Sequence, residues 1–133
     1  MTELVIRQAQ EGDLNLVRAT WVECMADSAL RLALAQSWPR EFIEKVRDPL
    51  LERGDLLVCG MSDDPTAVCA WTVTEPGKVH FVYVKPKWRG LGLARRLLAP
   101  FLDLPTVYTH QARSTMVHRL PKAWSYHPYE AIR

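Results

Sequence analysis

At 133 residues, with 48% hydrophobic and 24% charged side chains, the chain suits one globular domain over 1–133 that builds its core without disulfides or a structural metal. Two domains and wholesale disorder are excluded. The formal charge of +2 conceals two unlike halves, because residues 1–75 carry seven Lys and Arg against thirteen Asp and Glu while residues 76–133 carry ten against two, which calls for an anionic partner near the C-terminal half.

The first element is a short strand, Leu4-Val5-Ile6-Arg7. Asp13 stands where a helix N-cap belongs, and Leu14, Val17, Trp21 and Met25 behind it recur at the three- and four-residue steps of one helical face. A second helix is expected after Ser37, with Phe42 and Val46 on one face and Glu41 placed to pair with Lys45. Asp48-Pro49 weakens that pattern and Gly54 ends it.

From Asp55 the period becomes that of strands. Leu56 to Cys59 and Ala67 to Val73 are separated by Ser62-Asp63-Asp64-Pro65, a hairpin signal. Glu75-Pro76-Gly77 puts proline and glycine at the centre of a type II turn, and Val79 to Val84 follows as a third strand. Beyond Lys85-Pro86-Lys87-Trp88 a helix over 90–99 is expected, with Leu91, Ala94, Leu97, Leu98 and Phe101 on one stripe and Pro100 ending or kinking it. Thr106 to His110 reads as a strand, 112–120 as a short helix and Trp124 to Ile132 as a last strand. The order βαα-βββ-α-β-α-β predicts an α/β (α+β) fold on a single mixed, mostly antiparallel sheet flanked by helices.

Cys24, Cys59 and Cys69 form no C-x-x-C pair, so neither a disulfide framework nor a zinc knuckle is signalled, and reduced thiols in a cytoplasmic protein are expected. The chain has no apolar run of about 18 residues and no basic-then-apolar N-terminus, so no membrane partner is expected. His110, His118 and His127 lack metal-ligand spacing, and no metal is predicted.

The most informative stretch is Arg89-Gly90-Leu91-Gly92-Leu93-Ala94, where the third strand of the meander gives way to a helix. Two glycines let the backbone turn sharply and approach a ligand, leaving N–H groups at a helix start that suit a phosphate. Lys85, Lys87, Arg89, Arg95 and Arg96 surround the turn and fit a polyanion such as a pyrophosphate. Alone, G-x-G-x-A also describes an ordinary close-packed helix start. A Walker loop would need Gly-Lys-Ser/Thr, and a Rossmann fingerprint would need G-x-G-x-x-G after the first strand; neither is present.

Val84-Lys85-Pro86-Lys87-Trp88-Arg89-Gly90-Leu91-Gly92-Leu93-Ala94 resembles the acetyl-CoA loop of the GNAT acetyltransferase superfamily, R/Q-x-x-G-x-G/A after a strand ending in Val-x-Pro. Ile6-Arg7-Gln8-Ala9, followed by Asp13 and Val17, is similar to that family's opening, and the order of elements agrees from residue 4 to about 120. The resemblance implies a GNAT-like fold and acetyl-CoA as cofactor. It implies that two central strands splay, with the pantetheine arm on backbone groups of Val82, Tyr83 and Val84. The pyrophosphate would then sit on the N–H groups of Arg89, Gly90, Leu91, Gly92, Leu93 and Ala94, with Arg95 and the nearby cations facing the phosphates. The implied reaction is direct attack of a neutral primary amine, on a small molecule or a protein, on the thioester carbonyl.

That reaction needs a base for the ammonium and an acid for the departing thiolate. Family members often place Glu on the strand before the loop. Here alternation puts Lys78, His80, Val82 and Val84 on one face and Val79, Phe81 and Tyr83 on the other, leaving His80 as the candidate base or else a packed strand histidine. With Gln111 in the place of the family's usual Asn, His118 takes the place of its Tyr acid, unless His118 is a surface histidine. Tyr108, on the strand flanking the pantetheine, is the other candidate acid, or else a strand aromatic. The usual Gly-Phe after that helix is replaced by Leu120-Pro121.

Trp21, Trp38 and Trp71 read as core or pocket-wall residues. The tail Trp124-Ser125-Tyr126-His127-Pro128-Tyr129 can line an acceptor site or close a homodimer across its last strand. The loops around residues 26–40, with Asp27, Ser28, Arg31 and Trp38, would set the acceptor. The missing catalytic features leave a second expectation, a catalytically weak or inactive GNAT-fold protein that binds CoA or a macromolecular partner. No nucleic-acid partner is expected, because no recognition motif is present and the acidic half interrupts any wide basic surface.

Overall fold

Strands β1 (Leu4–Gln8), β2 (Asp55–Met61), β3 (Asp64–Glu75), β4 (Lys78–Val84), β5 (Thr106–Tyr108) and β6 (Trp124–Tyr126) form one six-stranded sheet in chain order. These coordinates are a computed structural model, which describes residues 3–24, 40, 43–109, 120–127 and 130. The first four strands are antiparallel neighbours, whereas β4–β5 and β5–β6 are parallel. The observed sheet is thus the mixed, mostly antiparallel one expected from the order of elements. Among the described residues no helix is long and apolar enough to cross a membrane.

Helices cover both faces because the strand residues alternate between two apolar sets. On one face α1 (Leu14–Cys24) and α2 (Asp48–Arg53) bury Val17, Trp21 and Leu50 against Val58, Trp71, Val73 and Phe81. Trp21 and Trp71 are core residues there, their rings 5.6 Å apart, and Trp71 Nε1 donates to Thr20 Oγ1 at 3.0 Å. On the other face α3 (Leu93–Leu97) sets Leu93 and Leu97 on Cys59, Cys69 and Ala70, with Val82 and Val84 packed alongside. Cys59 and Cys69 are buried free thiols, and burial raises their pKa, which keeps them protonated.

Several local expectations change. Asp13 accepts from Gln10 N at 2.7 Å and is gripped by Arg7 at 2.8 Å, so it closes the 3-10 turn Glu11–Asp13 that precedes α1. That ion pair holds the Asp13 carboxyl below its usual range. Asp48-Pro49 opens α2, where proline lacks an N–H that the first turn does not need, and the chain enters it from a π turn, Ile43–Arg47. α3 is five residues long, because Gly90 and Gly92 take left-handed φ values of 83° and 77° and the helix starts only after them. Leu91 therefore leaves the expected apolar stripe and is 60% exposed. Pro100 falls in a separate 3-10 turn, Ala99–Phe101. Met25, Glu41, Phe42, the acceptor loop with Asp27, Ser28, Arg31 and Trp38, nearly all of the helix expected over 112–120, and Pro128 and Tyr129 lie outside the described residues.

Candidate functional site

The site is built on a fork, the place where β4 runs on past Thr109, the last described residue of the β5 segment. Among the described residues the two strands are in register at Lys78↔Val107 and Val79↔Tyr108, closed by Val107 N to Gly77 O at 2.9 Å and Thr109 N to Val79 O at 3.1 Å. β4 continues to Val84 against β3 alone among the described residues. A bulge decides which backbone groups its far edge presents. Val73 faces Phe81 and Thr74 faces Val79, leaving His80 as the extra residue. Beyond the bulge Lys85 N donates to Cys69 O at 2.9 Å, and the alternation of an antiparallel ladder then turns Phe81 and Tyr83 toward β3 and Val82 and Val84 toward the fork. Of the strand residues named from the sequence, Val82 and Val84 present peptide groups to the open edge and Tyr83 does not.

The glycine turn follows directly from that edge. Alternation of left-handed glycines with ordinary residues over 90–92 makes a concave nest of N–H groups, which attracts anions. Among the described residues no backbone carbonyl accepts from the N–H groups of Gly90, Leu91, Gly92, Leu93, Ala94 or Arg95; the turn's first helical bond is Arg96 N to Gly92 O at 3.1 Å. A Cβ built on Gly90 or Gly92 would meet nothing within 4 Å, so the space above the nest is open. Lys87, Arg89, Arg95 and Arg96 are exposed around it, with Lys85 half-buried at the end of β4. Arg89 ties turn to strand, its Nε donating to Val84 O at 2.9 Å.

His80 is 1% exposed. Its Nδ1 lies 3.0 Å from Thr109 Oγ1, which is also 3.3 Å from the His80 carbonyl. Its Nε2 faces Glu75 Oε2 at 3.7 Å, and the other Glu75 oxygen accepts from Arg53 Nε of α2. Burial pushes the imidazole pKa down to about 4 against the opposing pull of Glu75, so the ring is neutral at pH 7. The bulge corrects the expected alternation: Val82 and Val84 pack toward α3, while His80 faces Glu75, itself held by Arg53 of α2, on the face of α1 and α2, the face of Phe81 and Tyr83.

Tyr108 lies on the opposite face. Its ring stacks on Tyr126 at 5.3 Å and lies 6.2 Å from Trp124, whose Nε1 donates to Phe101 O just beyond α3. His80 and Tyr108 thus flank the fork's closed end from two sides of the sheet and do not meet. Gln111, His110 and His118 lie outside the described residues. Thr109, Glu75 and Arg53 were missed from the sequence. Period-two alternation after Tyr108 was a signal for Thr109 alone, since the contacts of Glu75 and Arg53 depend on the bulge and on α2.

No family model matches the chain, and no curated protein matches it. Among solved structures it is similar to an N-acetyltransferase from Staphylococcus aureus Mu50, at 17% identity over 75% of this chain and 64% of that one, with a TM-score of 0.49. It is also similar to yncA from Salmonella typhimurium, solved with its cofactor acetyl-CoA, at 20% identity over 76% and 62% with a TM-score of 0.46. A transcriptional regulator from Bacillus halodurans C-125 matches at 15% identity over 88% of each chain with a TM-score of 0.49. The chain spans 64% and 62% of the first two proteins. Identities and scores this low carry no statement about activity. The sheet order, the parallel rungs between β4 and β5 and the strand–glycine turn–helix junction are those of the mixed α/β architecture expected from the order of elements.

Proposed function

We propose that the chain is an acetyl-CoA-dependent N-acetyltransferase acting on a primary amine of a small molecule or a protein. The observation that carries this reading is the continuity of two features: the open edge of β4 at Val82 and Val84 runs into the nest at Gly90 and Gly92. An extended amide chain ending in a diphosphate matches both, since strand-edge peptide groups pair with amides and a nest with cations around it pairs with phosphates. Val82 and Val84 would hold the pantetheine, and the N–H groups from Gly90 to Arg95, with Lys85, Lys87, Arg89, Arg95 and Arg96, would hold the phosphates. Bound there, acetyl-CoA supplies an acyl group activated toward a neutral amine.

His80 is neutral at pH 7 and enclosed, with Nδ1 beside Thr109 Oγ1 and Nε2 buried without a hydrogen-bond partner, so it does not open to solvent. This enclosure favours a second reading, a catalytically weak or inactive protein that binds CoA or a macromolecular partner. Calorimetry with acetyl-CoA tests the shared part: micromolar to millimolar binding that Gly92→Glu abolishes is expected, and no binding at millimolar cofactor rejects the transferase and the CoA-binding form of the second reading. Thiol release with a panel of amines then separates them, because the transferase turns over and the inactive protein does not.

A further inference from the structure

Among the described residues β1 pairs with β2 on one side and with no strand on the other, which makes it an edge of the sheet. Two bonds at its ends fix which peptide groups point outward. Ser62 N donates to Glu3 O at 2.7 Å and Ala9 N donates to Leu56 O at 2.9 Å, so Glu3, Val5, Arg7 and Ala9 turn their peptide groups to β2, and Leu4, Ile6 and Gln8 turn theirs away. Gln8 O accepts from Arg7 Nη1 at 3.2 Å, and among the described residues no group pairs with the backbone of Leu4 or Ile6. Side chains alternate as well. Leu4 and Ile6 pack toward α3, whereas Val5 is 42% exposed, an apolar residue where a protected edge carries a charge.

The sequence of this edge is complementary to itself. Two antiparallel copies about a twofold axis must bring outward residues together, and three registers engage more than one of them. Ile6 opposite Gln8 sets Arg7 against Arg7, which repels. Ile6 opposite Ile6 sets Val5 against Arg7 and needs the Gln8 oxygen that Arg7 holds. Leu4 opposite Ile6 sets Val5 against Val5 and, on each side of the axis, Glu3 against Arg7, with Arg7 still on Asp13. That register alone joins like apolar groups and opposite charges.

We propose that β1 is an interface between two copies of this chain, paired edge to edge through the backbone of Leu4 and Ile6, with Val5 on the twofold axis and each Glu3 beside the other copy's Arg7. A strand of five residues covers less than the roughly 1,000 Å² of a stable interface, so the dimer is weak and concentration-dependent. It stands apart from the cofactor reading, since it uses β1 alone.

Cross-linking reads the register. In a Cys24→Ser background, which removes an exposed thiol, Val5→Cys sets two thiols in a non-hydrogen-bonded pair with Cα atoms about 4.5 Å apart. Glutathione disulfide is expected to join it into a dimer about tenfold faster than Glu11→Cys, an exposed position off the edge. By sedimentation the wild type is expected to be monomeric at about 10 μM and to associate toward about 1 mM. Leu4→Pro removes an outward N–H and spares the β1–β2 ladder, and is expected to weaken association about tenfold, with protection of the Val5 and Arg7 amides reporting that β1 stays on the sheet. Glu3→Arg, at an exposed side chain, is expected to weaken it about threefold at low salt. A wild type that stays monomeric at 1 mM, a Val5→Cys that cross-links no faster than Glu11→Cys, or association that both Leu4→Pro and Glu3→Arg leave intact overturns the interface.

Discussion

The two ends of β4 differ in a way that organises the molecule. At Lys78 and Val79 the strand is paired on both sides, to β3 and to β5; from Phe81 to Val84 it is paired to β3 only, among the described residues. The paired end begins at half-buried Lys78, in an ion pair with Glu130, and continues into buried Val79, whereas Val82, Tyr83 and Val84 are half-buried. Among the described residues the difference in pairing lies in one inserted residue, His80, and in the last rung of β5 beside it. The lesson is that an apolar strand can carry a polar site on its edge: side chains supply the core while the peptide groups stay available.

Changes to the paired region should act on stability and changes to the open region on binding. The largest expected effect is in the core, where Trp71 of β3, opposite Tyr83, is fully buried between Trp21, Phe81 and Tyr83. Trp71→Ala is expected to cost about 3–5 kcal/mol in urea unfolding. A loss under about 1 kcal/mol would mean that the aromatic cluster is not the centre of the core.

His80 joins the two regions and makes stability depend on pH. Its folded pKa of about 4 lies below the unfolded value, so the unfolded chain takes up the proton first. Stability is full above about pH 6.5 and falls as pH drops toward 4, by about 3 kcal/mol in all. Glu75 and Asp13, whose folded pKa values are lowered from 4.5 and 3.8, add their losses as pH falls through those values, so that of Glu75 overlaps the acid end of the window. Urea unfolding at a series of pH values should show this slope in the wild type and a flattened one in His80→Gln. Equal slopes would remove His80 from the account.

In the open region Gly92→Glu places a side chain and a like charge where the phosphates would lie. CoA affinity is expected to fall by about 100-fold, while the left-handed φ costs about 1 kcal/mol of stability. A comparable loss in Gly12→Ala, at a glycine with open space and an ordinary φ, would show that the assay reads general destabilisation. The smallest effect is expected for Lys87→Gln, about threefold in affinity at low salt and less at higher ionic strength, because Lys87 is exposed and screened. A salt-independent loss would point to a contact other than charge.

Much of this was legible before any coordinates. Period-two runs placed β2, β3 and β4, and the paired residues at the turns announced both hairpins, because those signals are local. The glycine turn was legible for the same reason: Gly90 and Gly92 adopt φ values that other residues resist. The extent of α3 was misread, since Leu91 fits a helical stripe in sequence but falls between two left-handed glycines. The face of His80 was misread because alternation assumes an unbroken ladder, and a bulge is a property of two strands together.

The chain's own residues thus settle where strands, turns and an anion-binding loop lie, since backbone preference and hydrophobic period act over a few neighbours. The bulge at His80, the peptide groups that β4 presents beyond it, and the Arg53–Glu75–His80–Thr109 contacts were decided by assembly. Each joins residues up to 29 positions apart or more, whose meeting depends on register between strands and on where a helix lands.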